Sequence, residues 1–385
     1  MIKKEALDIH KKLKGKIEVT SKIKNLTKKQ LRLVYTPGVA EVSREIARTK
    51  NTKEYTIKGN TVAVVSDGSS ILGLGNLGPE AALPVMEGKA MLFKQLANID
   101  AFPLCLDTQE TEELVQTVKH IAPVFGGINL EDIAAPRCFE VEDQLQNIGI
   151  PVMHDDQHGT AIVVLASLLN AARVTKKRFE ELHVVVNGAG AAGQAIAKLL
   201  VCASNNKNLC TSVREVIVCD SKGILYKGRP GLNPYKERLV KITNRTRRKG
   251  SLSDALVNAD VFVGVSKGNI VSEAMVKSMN KDPIVFGLSN PTPEIMPDKA
   301  KRAGAKVIAT GRSDFPNQVN NALVFPGVFR GALDSNAKRI TNEMKLAAAH
   351  ALAATVKNPR TKNILPSLFD KRVVQNIARA VKKAA

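Results

Sequence analysis

The chain has 385 residues, of which 44% are hydrophobic, and this length and composition predict two or three soluble domains. No apolar run reaches the roughly eighteen residues of a membrane-spanning helix, so we expect no membrane partner. The formal net charge of +21 raises the alternative of a nucleic-acid-binding protein, but basic residues are scattered and aromatic residues make up only 4% of the chain. We therefore expect a basic surface that attracts small anionic ligands, and no nucleic-acid partner.

The amino-terminal segment, residues 1–8, carries charges where a signal peptide has its apolar core, which predicts a cytoplasmic protein. Residues 1–30 are predicted to form a basic helix and a polar linker, because Ala6, Leu7 and Leu13 recur at helical spacing. Such a helix cannot bury its apolar side alone, so we expect it to contact a partner subunit in a homodimer.

Beyond residue 30, short apolar strands alternate with helical patterns. The strands are rich in β-branched residues without polar alternation, which predicts parallel sheets covered on both faces. We expect strands at residues 61–66, 100–107, 150–153, 182–186, 215–220, 261–265, 283–288 and 306–310. A long apolar helix is predicted from residue 159 to 174, and further helices near residues 330–356 and 367–383.

The predicted fold class is therefore α/β, with two domains that meet near residue 160. We expect an N-terminal α/β domain over residues 31–158. A Rossmann-type, doubly wound parallel-sheet domain with additional C-terminal helices is expected over residues 159–385.

Cysteine usage argues against structural cross-links. None of the five cysteines forms a C-x-x-C pair, which disfavours both a disulfide framework and a thiolate zinc site. We expect reduced, buried thiols at all five positions, which are Cys105, Cys138, Cys202, Cys210 and Cys219.

A glycine-rich loop follows the strand predicted at residues 182–186. It contains Gly188, Gly190, Ala192 and Gly193 in G-x-G-x-x-G spacing and opens a helix. Glycines let the chain turn tightly and bring backbone amides and a helix N-terminus to a pyrophosphate. The complete strand–loop–helix context predicts a dinucleotide site rather than an ordinary turn.

The next strand ends at Asp220, after a polar loop at residues 204–211 that lengthens the usual spacing. Asp220 can accept hydrogen bonds from ribose hydroxyls, which favours NAD. Lys222 could instead meet the 2′-phosphate of NADP, so both cofactors stay open.

The same glycine spacing occurs earlier, at residues 73–78. This copy lies several residues past its strand, and no acid-tipped strand follows it at the required distance. We interpret it as part of a substrate cradle whose backbone amides face a carboxylate.

Two acidic pairs stand out. Asp155-Asp156 follows the strand expected at residues 150–153, and Glu131-Asp132 follows a further short apolar segment that we interpret as a strand. Carboxylates at the carboxyl ends of strands, without thiolates, favour a hard cation such as Mg2+ or Mn2+. One alternative is a zinc site built on His154 and His158, which are four residues apart. Another is that the acids merely cap the following helix.

Several of these residues lie in segments that resemble malic enzymes of the short bacterial type. The resemblance extends from about residue 15 to the C-terminus and rests on residues 35–40, 66–78, 87–90, 129–133, 154–161, 288–292 and 320–327. It implies oxidation of L-malate with NAD or NADP and metal-dependent decarboxylation to pyruvate and CO2. A malolactic enzyme, which resembles this family closely but retains its cofactor and yields lactate, is the near alternative.

The resemblance also implies a role for each matched polar residue. Glu131, Asp132 and Asp156 would ligate the metal. Lys89 would be the general base that takes the proton of the malate C2 hydroxyl, and Asp155 would lie beside it and tune it. A lysine can act in this way where nearby positive charge lowers its pKa.

At the other side of the substrate, Tyr35 would be the general acid that protonates C3 after decarboxylation. Asn290 and Asn321 would hold the substrate carboxylates or orient the nicotinamide. Larger malic enzymes carry a substrate-binding arginine where Ser70 stands here, so the carboxylate needs another counter-charge. Arg137 is a candidate for it.

Overall fold

The computed structural model of the chain describes residues 2–202 and 210–385, so most of the polar loop predicted at residues 204–211 lies outside the described residues. Sixteen α-helices occur in the described residues. They are α1 (Ile2–Leu13), α2 (Lys28–Val34), α3 (Val39–Thr49), α4 (Thr52–Tyr55), α5 (Pro79–Ala97), α6 (Thr111–Ile121), α7 (Arg137–Leu145), α8 (Asp155–Thr175), α9 (Ala191–Leu200), α10 (Pro234–Leu239), α11 (Leu252–Leu256), α12 (Glu273–Lys277), α13 (Pro297–Arg302), α14 (Phe325–Asp334), α15 (Asn342–Thr355) and α16 (Arg372–Lys383).

The first sheet is parallel and has the strand order β2-β1-β3-β4. Its strands are β1 (Thr61–Ser66), β2 (Asp100–Cys105), β3 (Gly127–Leu130) and β4 (Val152–His154). Every residue of β1 is buried, as expected for a central strand covered on both faces. The carboxyl ends of all the strands lie along one edge of this sheet.

The second sheet has the strand order β10-β9-β8-β5-β6-β7. Its strands are β5 (His183–Asn187), β6 (Glu215–Asp220), β7 (Gly223–Ile224), β8 (Val261–Gly264), β9 (Ile284–Gly287) and β10 (Val307–Thr310). The strand order reverses at β5, and this topological switch point opens a crevice at the carboxyl ends of β5 and β8. These features confirm the predicted α/β fold. Only β7 is antiparallel, because a tight turn joins it to β6.

Helix α8 connects the two sheets. It begins at Asp155, directly after β4, rather than at residue 159, because acidic residues are favourable in the first turn of a helix. Among the described helices, α8 is long and apolar enough to cross a membrane, but 67% of its most apolar window is buried inside the protein. Such burial is typical of a core helix.

The C-terminal helices pack against the N-terminal half of the chain. The Phe93 ring on α5 lies 4.7 Å from the ring of Phe325 and 5.5 Å from that of Phe329, both on α14. The region predicted as helix near residues 330–356 is divided into α14 and α15. Asn336 adopts a positive φ of 52° between them, and Thr341 caps the N-terminus of α15.

The prediction of five reduced cysteines is wrong for two of them. Cys202 and Cys210 form a disulfide, with Cα atoms 5.8 Å apart, a separation that a disulfide spans readily. Cys138 and Cys219 are buried free thiols, as expected, and Cys105 is a half-buried free thiol.

Candidate active site

The two acidic pairs meet at the carboxyl edge of the first sheet. Glu131 and Asp132 follow β3, whereas Asp155 and Asp156 open α8 directly after the neighbouring strand β4. The backbone N–H of Asp132 donates to Oδ2 of Asp156 over 2.9 Å. One carboxylate oxygen from each of Glu131, Asp132 and Asp156 lies within 4.8 Å of the other two. The pairing of β3 with β4 therefore brings two acidic pairs that are separate in the sequence into one cluster.

The electrostatics of this cluster fit a divalent cation. Burial raises the pKa of Asp132 to about 7, and the neighbouring charge of Asp156 adds to this effect. Burial also holds the pKa of Glu131 well above its usual range, despite the opposing charge of Lys89. Oδ2 of Asp132 is buried without a hydrogen-bond partner among the described residues. Crowded, buried carboxylate oxygens are the donor set that Mg2+ and Mn2+ prefer.

Lys89 lies between the two acidic pairs. It projects from α5, is only 8% exposed, and places Nζ 2.8 Å from Oε2 of Glu131 and in contact with Oδ2 of Asp155. The ring of Phe325 covers the ammonium group, with its centroid 4.3 Å from Nζ. Burial lowers the pKa of Lys89, but the charges of Asp155 and Glu131 outweigh it and raise the pKa. Lys89 can act as a base only when another cation offsets these carboxylates.

Glu142, which the sequence analysis did not identify, lies next to the start of α8. Its buried carboxylate accepts hydrogen bonds from the backbone N–H of His154, from Nε2 of Gln157 and from Nε2 of His158, each over 3.0 Å. Burial opposes ionisation, but His158 and Lys345 outweigh it and lower the pKa of Glu142 to about 2. Its only signal in the sequence is a carboxylate on the buried stripe of α7, which otherwise consists of Cys138, Phe139, Val141 and Leu145.

Neither His154 nor His158 belongs to the candidate metal cluster found among the described residues. His158 is bound to Glu142, and the candidate metal cluster among the described residues contains carboxylates alone. The geometry therefore favours a hard cation over the zinc alternative.

The glycine-rich loop after β5 has the shape that a dinucleotide requires. Gly188 adopts a φ of 123°, and a Cβ atom on it would lie 2.7 Å from the carbonyl oxygen of Val265. A Cβ atom on Gly193 would overlap the carbonyl oxygen of Gly188, whereas the space above Gly190 is open. Gly188 and Gly190 line a cleft of about 840 Å³ that also contains Asp220 and Lys222.

The carboxylate of Asp220 is already engaged. Oδ2 accepts hydrogen bonds from Arg229 and, over 2.8 Å, from Lys236, and Oδ1 accepts one from the backbone N–H of Lys222 over 2.9 Å. Burial alone would raise the pKa of Asp220, but these donors outweigh it and lower the pKa to about 2. Two cations therefore offset the charge that would otherwise repel a 2′-phosphate.

A second cleft, of about 530 Å³, joins the two halves of the site. It brings Lys89 and the carboxylate cluster together with the dinucleotide loop and with both predicted amide residues. Its lining includes Ser70, Gly73, Lys89, Glu131, Asp132, Asp156, Thr160, Gly190, Ala192, Asn290, Asn320 and Asn321. Asp155 lies just behind this surface, in contact with Lys89.

The sequence analysis also did not identify Glu294, whose carboxylate connects two loops of the second cleft. Glu294 is fully buried and accepts the backbone N–H of Ser266 over 2.9 Å and that of Ser289 over 3.0 Å. Both serines line the second cleft, beside Asn290. Glu294 follows two prolines in the sequence, and nothing in that pattern predicts its burial.

Tyr35 and Arg137, which the sequence assigns to the substrate, line neither of the two clefts. Tyr35 is the C-cap of α2, is 65% exposed, and is absent from the described cleft lining. Arg137 is also absent from it, because its guanidinium pairs with Asp67 over 2.6 Å and donates to Ser69 over 2.9 Å. Arg137 is thus already neutralised, which argues against its proposed role as the substrate's counter-charge.

A Rossmann-type nucleotide cleft that opens onto a buried lysine and a carboxylate cluster defines a two-domain, NAD(P)-binding α/β enzyme. The family model described as the malic enzyme N-terminal domain matches residues 12–114 and 108–146, and the malic enzyme NAD binding domain matches residues 157–385. The chain belongs to the malic enzyme family, which confirms the resemblance in its sequence.

Individual relatives agree over nearly the whole chain. A bifunctional malic/malolactic enzyme of Bacillus subtilis is 53% identical, over 100% of this chain and 93% of that protein. An NAD-dependent malic enzyme of Geobacillus stearothermophilus is 53% identical, over 96% of this chain and 77% of that protein. The crystal structure of an NAD-dependent malic enzyme from Thermotoga maritima is 49% identical, with a TM-score of 0.93 over 98% of both chains.

Proposed function

We propose that the chain oxidises L-malate with NAD or NADP and decarboxylates the product to pyruvate and CO2. The observation that carries this proposal is the position of Lys89, which lies in one cleft with the carboxylate cluster and with Gly190 of the dinucleotide loop. A lysine so placed can take a proton from a hydroxyl group whose carbon faces the nicotinamide.

In this proposal, Glu131, Asp132 and Asp156 hold a divalent cation. A bound cation would supply a Lewis acid and would offset the carboxylates around Lys89, and a bound dinucleotide would supply the hydride acceptor. Lys89 takes the proton of the C2 hydroxyl. Asp155 holds the Lys89 ammonium in place through their buried contact.

Asn290 and Asn321, which line the same cleft as Lys89, hold the substrate carboxylates through their side-chain amides. The bond between C3 and the β-carboxylate then breaks, and CO2 leaves with the electron pair remaining on the enolate. Carbon C3 needs one proton to give pyruvate, and we assign its delivery to the Tyr35 hydroxyl.

We further propose that the active enzyme is a homodimer. Helices α2 and α3 have no buried residue, and apolar side chains are exposed along α2, with Leu33 at 62%, Val34 at 47% and Leu31 at 42%. A second copy of the chain that covered this surface would bury apolar area that a lone subunit leaves in water. Tyr35 directly follows α2, so a second subunit that covered α2 would lie next to Tyr35. This position supports the proposal that Tyr35 acts in the cleft of the other subunit.

The malolactic reaction is the second candidate, and one observation favours it. The relative from Bacillus subtilis, 53% identical over the whole chain, is named for both activities. In a malolactic reaction the same cleft would retain the reduced dinucleotide and return its hydride to C2, giving lactate.

One assay distinguishes these candidates. Purified protein is incubated with L-malate, Mn2+ and either NAD or NADP, while absorbance at the reduced-nicotinamide band, pyruvate and lactate are followed. Reduced cofactor and pyruvate in equal amounts, both abolished by a chelator and by Lys89→Ala, are expected. Lactate without reduced cofactor would identify the malolactic reaction, and no turnover with either cofactor would contradict both assignments.

A further inference from the structure

We infer that Glu142 is a positioning residue for the metal-binding cluster, an assignment that rests on the proposed metal site. Glu142 touches neither the cleft nor the cluster. It acts through the first turn of α8, which carries both Asp155 and Asp156.

The contacts of Glu142 converge on the start of that helix. The N-cap residue of α8 is His154, whose own side chain makes no capping hydrogen bond. The Glu142 carboxylate instead accepts the backbone N–H of this N-cap residue, the bond that an N3 side chain makes in a capping box, and the side-chain N–H groups of Gln157 and His158. A carboxylate at a helix N-terminus also stabilises the positive end of the helix dipole.

The contacts of Glu142 act against repulsion among the neighbouring carboxylates. The first turn of α8 carries Asp155 and Asp156 and lies beside Glu131 and Asp132. Lys89 attracts the carboxylates of this turn, whereas the other carboxylates repel them. One hydrogen bond to the backbone of His154 and two to the side chains of Gln157 and His158 hold the first turn against these forces. The side chain of Asp156 is thereby held within 4.8 Å of the other two candidate ligands.

Lys345 of α15 closes the network. Its Nζ atom lies 3.4 Å from Nε2 of His158. The positive charge of Lys345 on α15 also lowers the pKa of Glu142, which connects the Glu142 network to the C-terminal helices. Removal of the carboxylate would leave buried donors unpaired, a cost that a shift of the first turn of α8 would relieve.

Mn2+ binding to the metal-free protein tests this inference directly. Glu142→Gln keeps the side-chain volume but replaces one acceptor oxygen by an NH2 group that faces other donors. The expected result is an Mn2+ dissociation constant about 10- to 100-fold higher, as is usual when a group that orients metal ligands is removed. Asp143→Asn, the same charge change at the adjacent, exposed position of α7, is the matched control and should bind as the wild type does.

Two further readouts separate positioning from general destabilisation. Saturating Mn2+ should restore the kcat of Glu142→Gln, and the dissociation constant for the dinucleotide should not change, because no residue of α7 lines the nucleotide cleft. If Glu142→Gln does not fold, Glu142→Asp replaces it. Aspartate keeps the charge but cannot reach all three donors, and it should weaken Mn2+ binding by a smaller factor.

Equal Mn2+ affinity in wild type and in the folded Glu142 variant would overturn the inference while leaving the proposed function intact. A wild-type protein that binds no Mn2+, or an Asp156→Asn variant that binds it normally, would instead overturn the proposed metal site. The inference would then be overturned with it.

Discussion

Gly159 lies directly beside Asp155 in α8, so that a Cβ atom on Gly159 would overlap Oδ1 of Asp155 and would lie 3.2 Å from the Cβ atom of Asn321. A side chain at residue 159 would therefore displace the carboxylate of Asp155, whose other oxygen, Oδ2, contacts Lys89. This relationship links a glycine inside a helix to the orientation of the proposed base.

Gly159→Ala should accordingly reduce kcat by about tenfold or more, because a displaced Asp155 no longer holds Lys89 and small misplacements at a reacting centre are costly. Steady-state kinetics with saturating malate and Mn2+ measure this effect. Gly88→Ala on α5 is the matched control, since a Cβ atom there would meet only Lys16 Nζ at 4.0 Å. It should leave kcat unchanged, and an equally large loss in both variants would refute the steric explanation.

Mixing two inactive variants tests whether Tyr35 acts on the partner subunit. Lys89→Ala and Tyr35→Phe should each be nearly inactive alone. After joint denaturation and refolding in equal amounts, random two-fold pairing gives mixed dimers with one intact site, so about a quarter of the wild-type activity should return. Activity that does not return, in dimers demonstrated to have mixed, would place Tyr35 in the cleft of its own subunit.

The ion pair between Asp220 and Lys236 bears on cofactor choice. Lys236→Ala removes one of the two cations that offset the Asp220 carboxylate, and this carboxylate should then repel a 2′-phosphate. We expect the KM for NADP to rise about three- to fivefold, the effect of about 1 kcal/mol for a partly exposed charge pair, with little change for NAD. Lys227→Ala is the control, because Lys227 is exposed and does not line the nucleotide cleft. Equal effects on both cofactors would contradict the prediction.

Asp220 should also make stability depend on pH. Its pKa is lowered to about 2 in the folded protein, whereas an unfolded aspartate titrates near its usual value of about 3.9. The folded state therefore favours the ionised form, and this stabilisation is present above pH 4 and lost as the pH falls towards 2.

The difference in the free energy of unfolding between wild type and Asp220→Asn should be largest near neutral pH, at about 1 kcal/mol, and should shrink below pH 4. Urea unfolding at a series of pH values measures it. A difference that stays constant from pH 7 to pH 3 would show that the ionised carboxylate contributes nothing.

Much of this architecture follows from local sequence. The predicted strand limits agree with β1 and β6 because their β-branched runs are bounded by residues that end strands. The proximity of the two acidic pairs was predictable as well, since strands that precede such pairs in an α/β fold end at the same edge.

Other features depend on contacts that no local pattern encodes. Glu142 receives its donors from β4 and α8, and Lys345 reaches the same network from α15, so its burial depends on tertiary packing. The sequence also identifies Tyr35 only by its motif, because its neighbours in the described chain leave it in solvent. A residue whose contacts come from a partner subunit, as we propose for Tyr35, cannot be located from the pattern of its own chain.

The packing of Phe325 over Lys89 and of Phe325 and Phe329 against Phe93 has a consequence for biosynthesis. Ribosomes complete the first sheet long before α14 is translated, so the nascent N-terminal half exposes the surface that α14 later covers. We expect this half, expressed alone, to aggregate or to bind chaperones. The enzyme therefore becomes competent only when nearly all of the chain has left the ribosome.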